Sequence, residues 1–192
     1  MKKILTVVLA ALLLVSALAG CGSNKAWTGK HTVEITVANY GSVKVEVNAD
    51  AAPQTASQFL NLCKSGFYNK KTVYRAIAGF AIYAGDPNRN GTGTSGTTIP
   101  GEFSSNGFNN TLSNTSGAIG MARDTNKDSA SCRFYVLLSD QTFLDGDFAV
   151  FGYVTEGMDV VKQIAAGVQV IGSDGYIAES NQPVITSAKV LN

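Results

Sequence analysis

The sequence predicts a mainly β protein: a closed antiparallel barrel of eight strands, capped by two short helices. Three observations lead to this prediction. Eight short segments are patterned as strands, two segments repeat apolar residues at helical spacing, and the loops are long and rich in Gly, Asn, Ser and Thr. No internal repeat or second domain is visible in the 192 residues, a length that suits one domain.

The first two strands are predicted to form a hairpin. Residues 32–37 and 43–47 alternate apolar and polar side chains, and residues 39–42 between them supply turn-forming types. The later strand candidates are short apolar segments at residues 73–77, 80–84, 118–121, 134–138, 148–154 and 184–190.

Two helices are predicted, one in each half of the chain. Pro53 opens the first, because proline suits the first helical turn, and apolar residues then recur at positions 56, 59, 60 and 63, on one helical face. The second covers residues 158–166, with Gly167 just beyond its end. Both helices should cap the barrel with their apolar faces.

Residues 1–20 look like an export signal and are excluded from the fold. Two lysines precede an apolar run that is too short for a transmembrane helix. Leu-Ala-Gly-Cys at residues 18–21 resembles the bacterial lipobox, in which the cysteine, here Cys21, carries lipid; ordinary signal cleavage is the alternative. We therefore predict a lipoprotein signal peptide at 1–20, a lipidated tether at 21–30, a folded domain at 31–192, and anchoring to the extracytoplasmic face of a bacterial membrane.

The charge balance excludes two classes of partner. The whole chain has 15 Lys and Arg against 14 Asp and Glu, and removal of residues 1–20 takes away Lys2 and Lys3. The remaining chain is nearly neutral, with no basic stripe for nucleic acid and no polybasic patch for anionic lipid. We expect no nucleic acid partner, and membrane contact only through Cys21.

Motifs for cofactors and metals are incomplete. Residues 91–96 fit G-x-G-x-x-G, but no helix is predicted after them to face a pyrophosphate. Residues 124–128 resemble the start of a calcium loop, yet Ser129 and Tyr135 occupy the positions that need glycine and glutamate. His31 is the only histidine, so no zinc site or Ser-His-Asp triad is predicted. We expect no cofactor and no metal, and Cys63 and Cys132 stay unassigned.

One segment carries a family resemblance. Residues 73–86 read Val-Tyr-Arg-Ala-Ile-Ala-Gly-Phe-Ala-Ile-Tyr-Ala-Gly-Asp and place Arg75 in an apolar strand, five residues before Phe80. They resemble the core motif of the cyclophilin family of peptidyl-prolyl cis-trans isomerases, F-x-R-x-[IV]-x-G-F-x-x-Q-x-G-D. Further blocks of the same family lie at residues 52–59, 99–103, 117–122, 129–136 and 143–152. The resemblance implies a cyclophilin-like isomerase domain over residues 31–192.

The resemblance implies that Arg75 is the catalytic residue. An X-Pro bond isomerises slowly because rotation must break amide resonance across a barrier of about 18–20 kcal/mol. A donor aimed at the prolyl nitrogen binds more strongly as resonance is lost, and so favours the transition state. Arginine remains charged and offers rigid N–H donors. By the same resemblance, Phe80, Phe134 and Leu144 form the proline pocket and Ala122 lines the peptide groove.

Several substrate-binding positions depart from the family. The family's methionine is Ala81, its arginine-orienting glutamine is Tyr83, its second glutamine is Arg133, its histidine is Phe148, its tryptophan is Phe143 and its asparagine is Arg123. The two added arginines should either repel Arg75 or favour acidic peptides. We expect a weaker isomerase with altered peptide preference and reduced cyclosporin sensitivity. The rival hypothesis is a proline-peptide-binding holdase without useful catalysis.

The expected partners follow from this interpretation. They are proline-containing segments of exported polypeptides, and the domain is expected to be monomeric.

Overall fold

The structure is a computed structural model that describes residues 26–192. The predicted leader and Cys21 lie outside the described residues. The two helices are α1 (Pro53–Lys64) and α2 (Met158–Gly167). The strands are β1 Lys30–Val37, β2 Gly41–Asn48, β3 Thr72–Ile77, β4 Ala81–Asp86, β5 Ala118–Met121, β6 Phe134–Leu137, β7 Val150–Glu156, β8 Val170–Ile171, β9 Tyr176–Ile177 and β10 Ile185–Val190.

The mainly β prediction with two helices is confirmed, but the closed barrel of eight strands is not supported. The strands form one ten-stranded sheet in the order β10-β1-β2-β7-β5-β6-β4-β3-β9-β8, whose ladder does not close. Near β10, the pairing of β3 is limited to an isolated bridge between Thr72 and Val184, flanked by backbone hydrogen bonds from Val73 to Pro183 and from Ile185 to Lys71. Pro183 has no N–H to extend that pairing, and the unpredicted hairpin β8–β9 pairs with β3 instead.

The two helices lie where the sequence predicts them. α1 packs against β10 and β2, and α2 packs against β2 and β4. The first turn of α1 has no side-chain cap from Ala52. Instead the buried Glu102 carboxylate accepts hydrogen bonds from the backbone N–H groups of Gln54 and Thr55, at 2.9 and 2.8 Å. Glu102 thereby satisfies the helix N-terminus from a distant loop.

Part of the predicted tether belongs to the folded unit. Trp27 is buried, its indole N–H donates to Asn61 Oδ1 at 2.9 Å, and its backbone N–H donates to Ser57 Oγ. Both partners lie on α1, and β1 already begins at Lys30. No helix within residues 26–192 combines the length and apolar composition that a bilayer span requires.

The apolar side chains divide into two clusters on opposite faces of the sheet. The larger cluster is the core, which contains Phe59, Phe134, Val136 and Phe151. The smaller one contains Tyr135 and Leu137 from the same strand, β6. Because successive residues of a strand point to opposite faces, β6 contributes alternately to the core and to the second cluster. We call this second cluster the outer cluster; it has the buried members Ala81, Ala118, Ala122, Tyr135, Leu137 and Val150.

Candidate active site

A transverse row of paired residues runs across five neighbouring strands beside the outer cluster. Tyr176 on β9 pairs with Arg75 on β3, and Arg75 pairs with Tyr83 on β4. Tyr83 pairs in turn with Tyr135 on β6, which pairs with Gly120 on β5. Directly paired residues project from the same face of a sheet. The ladder therefore places the arginine and three tyrosines in one line on the outer face.

A β-bulge in β3 shapes this row. Val73 pairs with Ala84 and Arg75 pairs with Tyr83, so Tyr74 has no partner on β4. The Tyr74 ring lies 6.4 Å from the Tyr83 ring, and Arg75 also contacts Tyr83. Bulges are common next to functional sites because they redirect a side chain. The bulge in β3 lets the successive residues Tyr74 and Arg75 both contact Tyr83.

The Arg75 side chain is half-buried and has no acidic partner among residues 26–192. Its Nε–H donates to the Asp174 carbonyl at 2.6 Å, the one hydrogen bond of this side chain within the described chain. Its Cζ lies 5.1 Å from the centre of the Tyr83 ring and 5.2 Å from that of Tyr176. The terminal Nη groups are thus left with donors for a ligand.

The outer cluster supplies an apolar floor next to Arg75. Ala81 and Ala122 are buried in it with Tyr135, and three half-buried side chains, Phe80, Leu144 and Phe148, pack against them. The short 3₁₀ turn Thr142–Leu144 carries Leu144. The structure therefore brings together six predicted site residues, which are Phe80, Ala81, Tyr83, Ala122, Leu144 and Phe148.

Tyr135 is the centre of that floor. Its ring centroid lies 6.0 Å from that of Tyr83 and 6.2 Å from that of Phe148. Its hydroxyl donates to Asn114 Oδ1 at 2.6 Å, and the Asn114 amide donates to Asp145 Oδ1 at 2.8 Å. Burial raises the pKa of the Tyr135 hydroxyl far above its usual value, so the hydroxyl remains a neutral donor. This chain of hydrogen bonds fixes the ring.

The structure does not bring Phe134 together with the other predicted site residues. Its ring packs in the core against Phe59 and Tyr68, with centroids 5.4 Å away in both cases. The reason is strand alternation, since Phe134 and Tyr135 are adjacent in β6 and face opposite sides. Strand alternation in the sequence already separates the two residues: in a regular strand Arg133 and Tyr135 share a face, and Phe134 lies on the opposite one.

The two added arginines are occupied by other contacts. Arg133 is buried, forms an ion pair with Asp124 at 2.6 Å and donates to the Gly91 carbonyl. Arg123 lies over the Phe148 ring, 4.6 Å from its centre, and donates to the Asp147 carbonyl. Asp124 balances Arg133, so strong repulsion of Arg75 by Arg133 is not expected.

Phe143 stands at the open edge of the site. Its side chain is 72% exposed, and its ring stacks on Phe80 with centroids 6.3 Å apart. An exposed ring held by a second ring can contact a peptide without first being ordered. Phe143 therefore extends the apolar surface outward from the floor.

The residues of the two incomplete motifs have structural roles. The buried Asp86 carboxylate accepts backbone hydrogen bonds from Asn90 and Gly93, at 2.9 Å each, and also from Gly91, and so orders the glycine loop. Asp128 of the calcium-like segment accepts from the Gly101 N–H at 3.0 Å. Within residues 26–192, no group of three or more His, Cys, Asp or Glu is arranged to hold a metal ion.

Comparison with known proteins supports the family resemblance. The family described as Cyclophilin type peptidyl-prolyl cis-trans isomerase/CLD matches residues 32–190. A Rhizopus delemar protein named peptidyl-prolyl cis-trans isomerase-like 1 is 36% identical over 124 residues, which cover 65% of this chain and 74% of the relative. A peptidyl-prolyl cis-trans isomerase of Acinetobacter baylyi is 37% identical over 132 residues, covering 66% and 68% respectively.

A solved structure shows the same fold. A cyclophilin type peptidyl-prolyl cis-trans isomerase of Cryptosporidium parvum superposes with a TM-score of 0.74 at 23% identity, covering 85% of this chain and 98% of that one. The chain therefore belongs to the cyclophilin-type peptidyl-prolyl cis-trans isomerases, and the expectation of that family is confirmed.

Proposed function

We propose that this isomerase accelerates X-Pro bond rotation with Arg75 as its catalytic residue. The observation that carries the proposal is the position of Arg75: it is in direct register with the aromatic floor, and its Nη donors have no acidic partner in residues 26–192. A donor placed there can bind the prolyl nitrogen once amide resonance is broken. The chemistry needs no nucleophile, metal or cofactor, because no covalent bond is made or cleaved.

We assign the proline ring to the floor of the outer cluster. The half-buried Phe148 and Leu144 offer apolar surface there, packed against the buried Tyr135 ring, and Ala122 lies beside them for the adjoining peptide. A second Cryptosporidium parvum structure of this fold was obtained in the presence of the dipeptide Ala-Pro, with a TM-score of 0.72 to this chain. That likeness supports a proline-containing peptide as the substrate class.

We also propose that the enzyme acts on exported polypeptides from a lipid anchor on Cys21. The support is the leader at residues 1–20 and the lipobox-like residues 18–21. Because Trp27 already packs against α1, only residues 22–26 would link the lipid to the folded unit. Five extended residues span about 17 Å, so the domain would be held close to the membrane.

The catalytic proposal is tested by isomerisation of a short X-Pro peptide, compared with the uncatalysed rate, together with peptide binding. We expect clear acceleration by the wild-type protein. Arg75→Ala should lose most of it, by about 10²–10³-fold, while it still binds the peptide. If both proteins match the uncatalysed rate and bind the peptide, the holdase hypothesis replaces this proposal.

The anchor is tested separately by fractionation of cells that express the full chain. Cys21→Ala should move the protein from the membrane fraction to the soluble exported fraction, because the acylated thiol is lost. Ser23→Ala is the matched control and should remain with the membrane. An unchanged membrane fraction for Cys21→Ala would contradict the anchor.

A further inference from the structure

The hairpin β8–β9 is a small element that the sequence did not predict, and it borders Arg75. Its two strands have two residues each, and its turn supplies the Asp174 carbonyl that accepts from Arg75 Nε. Tyr176, the first residue of β9, is 37% exposed. Tyr176 and Tyr83 pair with Arg75 from the two strands that flank β3, β9 and β4.

We propose that Tyr176 is a positioning residue: together with Tyr83 it forms an aromatic clamp that orients the Arg75 guanidinium for catalysis. This inference rests on the proposed catalytic role of Arg75. The clamp is defined by the two ring-to-Cζ distances of 5.1 Å for Tyr83 and 5.2 Å for Tyr176. Both are within the range of about 6 Å in which a ring face attracts a cation.

Two aromatic rings can orient Arg75 without occupying its Nη donors, which a carboxylate could not do. A carboxylate beside Arg75 would accept hydrogen bonds from the Nη donors that the prolyl nitrogen needs. Ring faces attract the guanidinium charge without accepting hydrogen bonds from its N–H groups in the way a carboxylate does, so those donors remain available. The Nε–H bond to Asp174 fixes one edge of the plane, and the rings restrict its rotation.

Several close contacts hold Tyr176 against the arginine. Its ring stacks on Tyr74 with centroids 6.3 Å apart, which the bulge in β3 makes possible. A Cβ at Gly91 would lie 3.1 Å from Tyr176 Oη, so the glycine loop packs closely against the ring. Gly175 has a φ of +77°, and a Cβ there would lie 2.4 Å from the Ala76 carbonyl oxygen. Glycine at this position therefore allows the hairpin to dock on β3.

The substitution of Tyr83 for the family's arginine-orienting glutamine fits this arrangement. Tyr83 contacts Arg75 through its ring face rather than through an amide. Burial raises the pKa of the Tyr83 hydroxyl although the Arg75 charge opposes the shift, so the ring remains neutral near pH 7. Tyr176 then supplies the second face, and the altered position does not by itself imply a weak enzyme.

The test compares four variants of the protein in isomerisation of an X-Pro peptide: Tyr176→Phe, Tyr176→Leu, Tyr176→Ala and Ile171→Ala. Phenylalanine keeps the ring face, leucine keeps apolar bulk without it, and Ile171 is the exposed cross-strand partner of Tyr176. We expect kcat to fall about 5- to 10-fold for the leucine and alanine variants with little change in peptide affinity. Tyr176→Phe should retain at least half of the wild-type kcat, and Ile171→Ala controls for loss of hairpin stability.

A spectroscopic readout separates positioning from stability. The Nε–Hε NMR signal of Arg75 should show a ring-current shift that Tyr176→Phe keeps and Tyr176→Leu loses. The inference is overturned if Tyr176→Leu keeps both kcat and this signal, or if only KM rises, which would make Tyr176 a substrate contact. If Arg75→Ala retains the wild-type rate, the proposed catalytic residue is wrong, an outcome distinct from failure of the clamp.

Discussion

Phe134 and Tyr135 are consecutive residues of β6, yet the Phe134 ring packs against Phe59 in the core and the Tyr135 ring packs against Phe148 in the outer cluster. One strand thus links the interior of the fold to the floor of the candidate active site. The two side chains should affect different properties of the protein. Phe134 should affect stability alone, whereas Tyr135, which is buried and hydrogen-bonded to Asn114, should affect both stability and substrate turnover.

Phe134→Leu and Tyr135→Leu test this division. Phe134→Leu should lower the free energy of unfolding by about 1–1.5 kcal/mol, because a buried ring is replaced by a smaller apolar side chain. Its kcat/KM should stay near that of the wild type at temperatures where it is folded. Tyr135→Leu should lower kcat/KM, because the floor loses its central ring. The measurements are chemical denaturation and peptide isomerisation, and equal losses of kcat/KM in both variants would contradict the assignment.

Gly120 should be intolerant of a side chain. A Cβ at this position would lie 2.2 Å from Tyr135 Oη, so Gly120→Ala must displace the ring from the floor. We expect a loss of about 1–3 kcal/mol in stability and a raised KM for the X-Pro peptide. The double variant Gly120→Ala/Tyr135→Leu should lose less than the sum of the single effects, because the clash is removed.

The control for Gly120 is Gly167→Ala at the end of α2. A Cβ there would approach Tyr40 Oη at 3.3 Å, a contact that a small side-chain movement relieves. This variant should keep the wild-type KM. Additive losses in the Gly120 and Tyr135 double variant would show that the two residues do not act through one contact.

Acid should weaken the chain of hydrogen bonds that holds the Tyr135 ring, because this chain ends at the Asp145 carboxylate. Burial by itself would raise the pKa of Asp145, but hydrogen bonds from the Ser113 hydroxyl and from the backbone and side chain of Asn114 outweigh it and lower this pKa. A depressed pKa in the folded state stabilises the protein above the ordinary pKa of about 3.9, and this stabilisation is lost as the pH falls through the folded-state pKa. Wild-type stability should therefore fall more steeply below about pH 4 than that of Asp145→Asn.

Denaturation curves between neutral pH and pH 2 measure this difference. Asp159→Asn is the matched control, since the Asp159 carboxylate forms no hydrogen bond or ion pair within residues 26–192 and is exposed on α2. It should keep the steep wild-type decline. Parallel curves for wild type and Asp145→Asn would contradict a role for this carboxylate in acid stability.

Part of the fold and of the site could be predicted from the sequence for identifiable physical reasons. The apolar spacing after Pro53 predicted α1, and the motif around Arg75 predicted the family. The bulge at Tyr74 could not be predicted, because it depends on how β3 pairs with β4 and not on the residues of β3 alone. The hairpin β8–β9 was missed because two-residue strands have no measurable periodicity.

The position of Phe134 differs from the prediction for another reason. The family resemblance implies a phenylalanine in the pocket, but strand alternation puts Tyr135, which pairs with Tyr83, on that face of the sheet and Phe134 on the other. Tyr176 was missed because its contact with Arg75 joins residues about 100 positions apart. Contacts of this kind are set by sheet order.

The most direct test of a catalytic Arg75 is the cis-trans exchange rate of a proline peptide while it is bound. NMR exchange spectroscopy at saturating peptide measures this rate separately from affinity, for the wild type, Arg75→Lys and Arg75→Ala. Lysine keeps the charge but lacks the planar set of donors. The bound-state rate should fall by about 10²–10³-fold in Arg75→Ala and substantially in Arg75→Lys, with the peptide Kd nearly unchanged. A wild-type exchange rate in Arg75→Ala at equal occupancy would contradict the central role of Arg75.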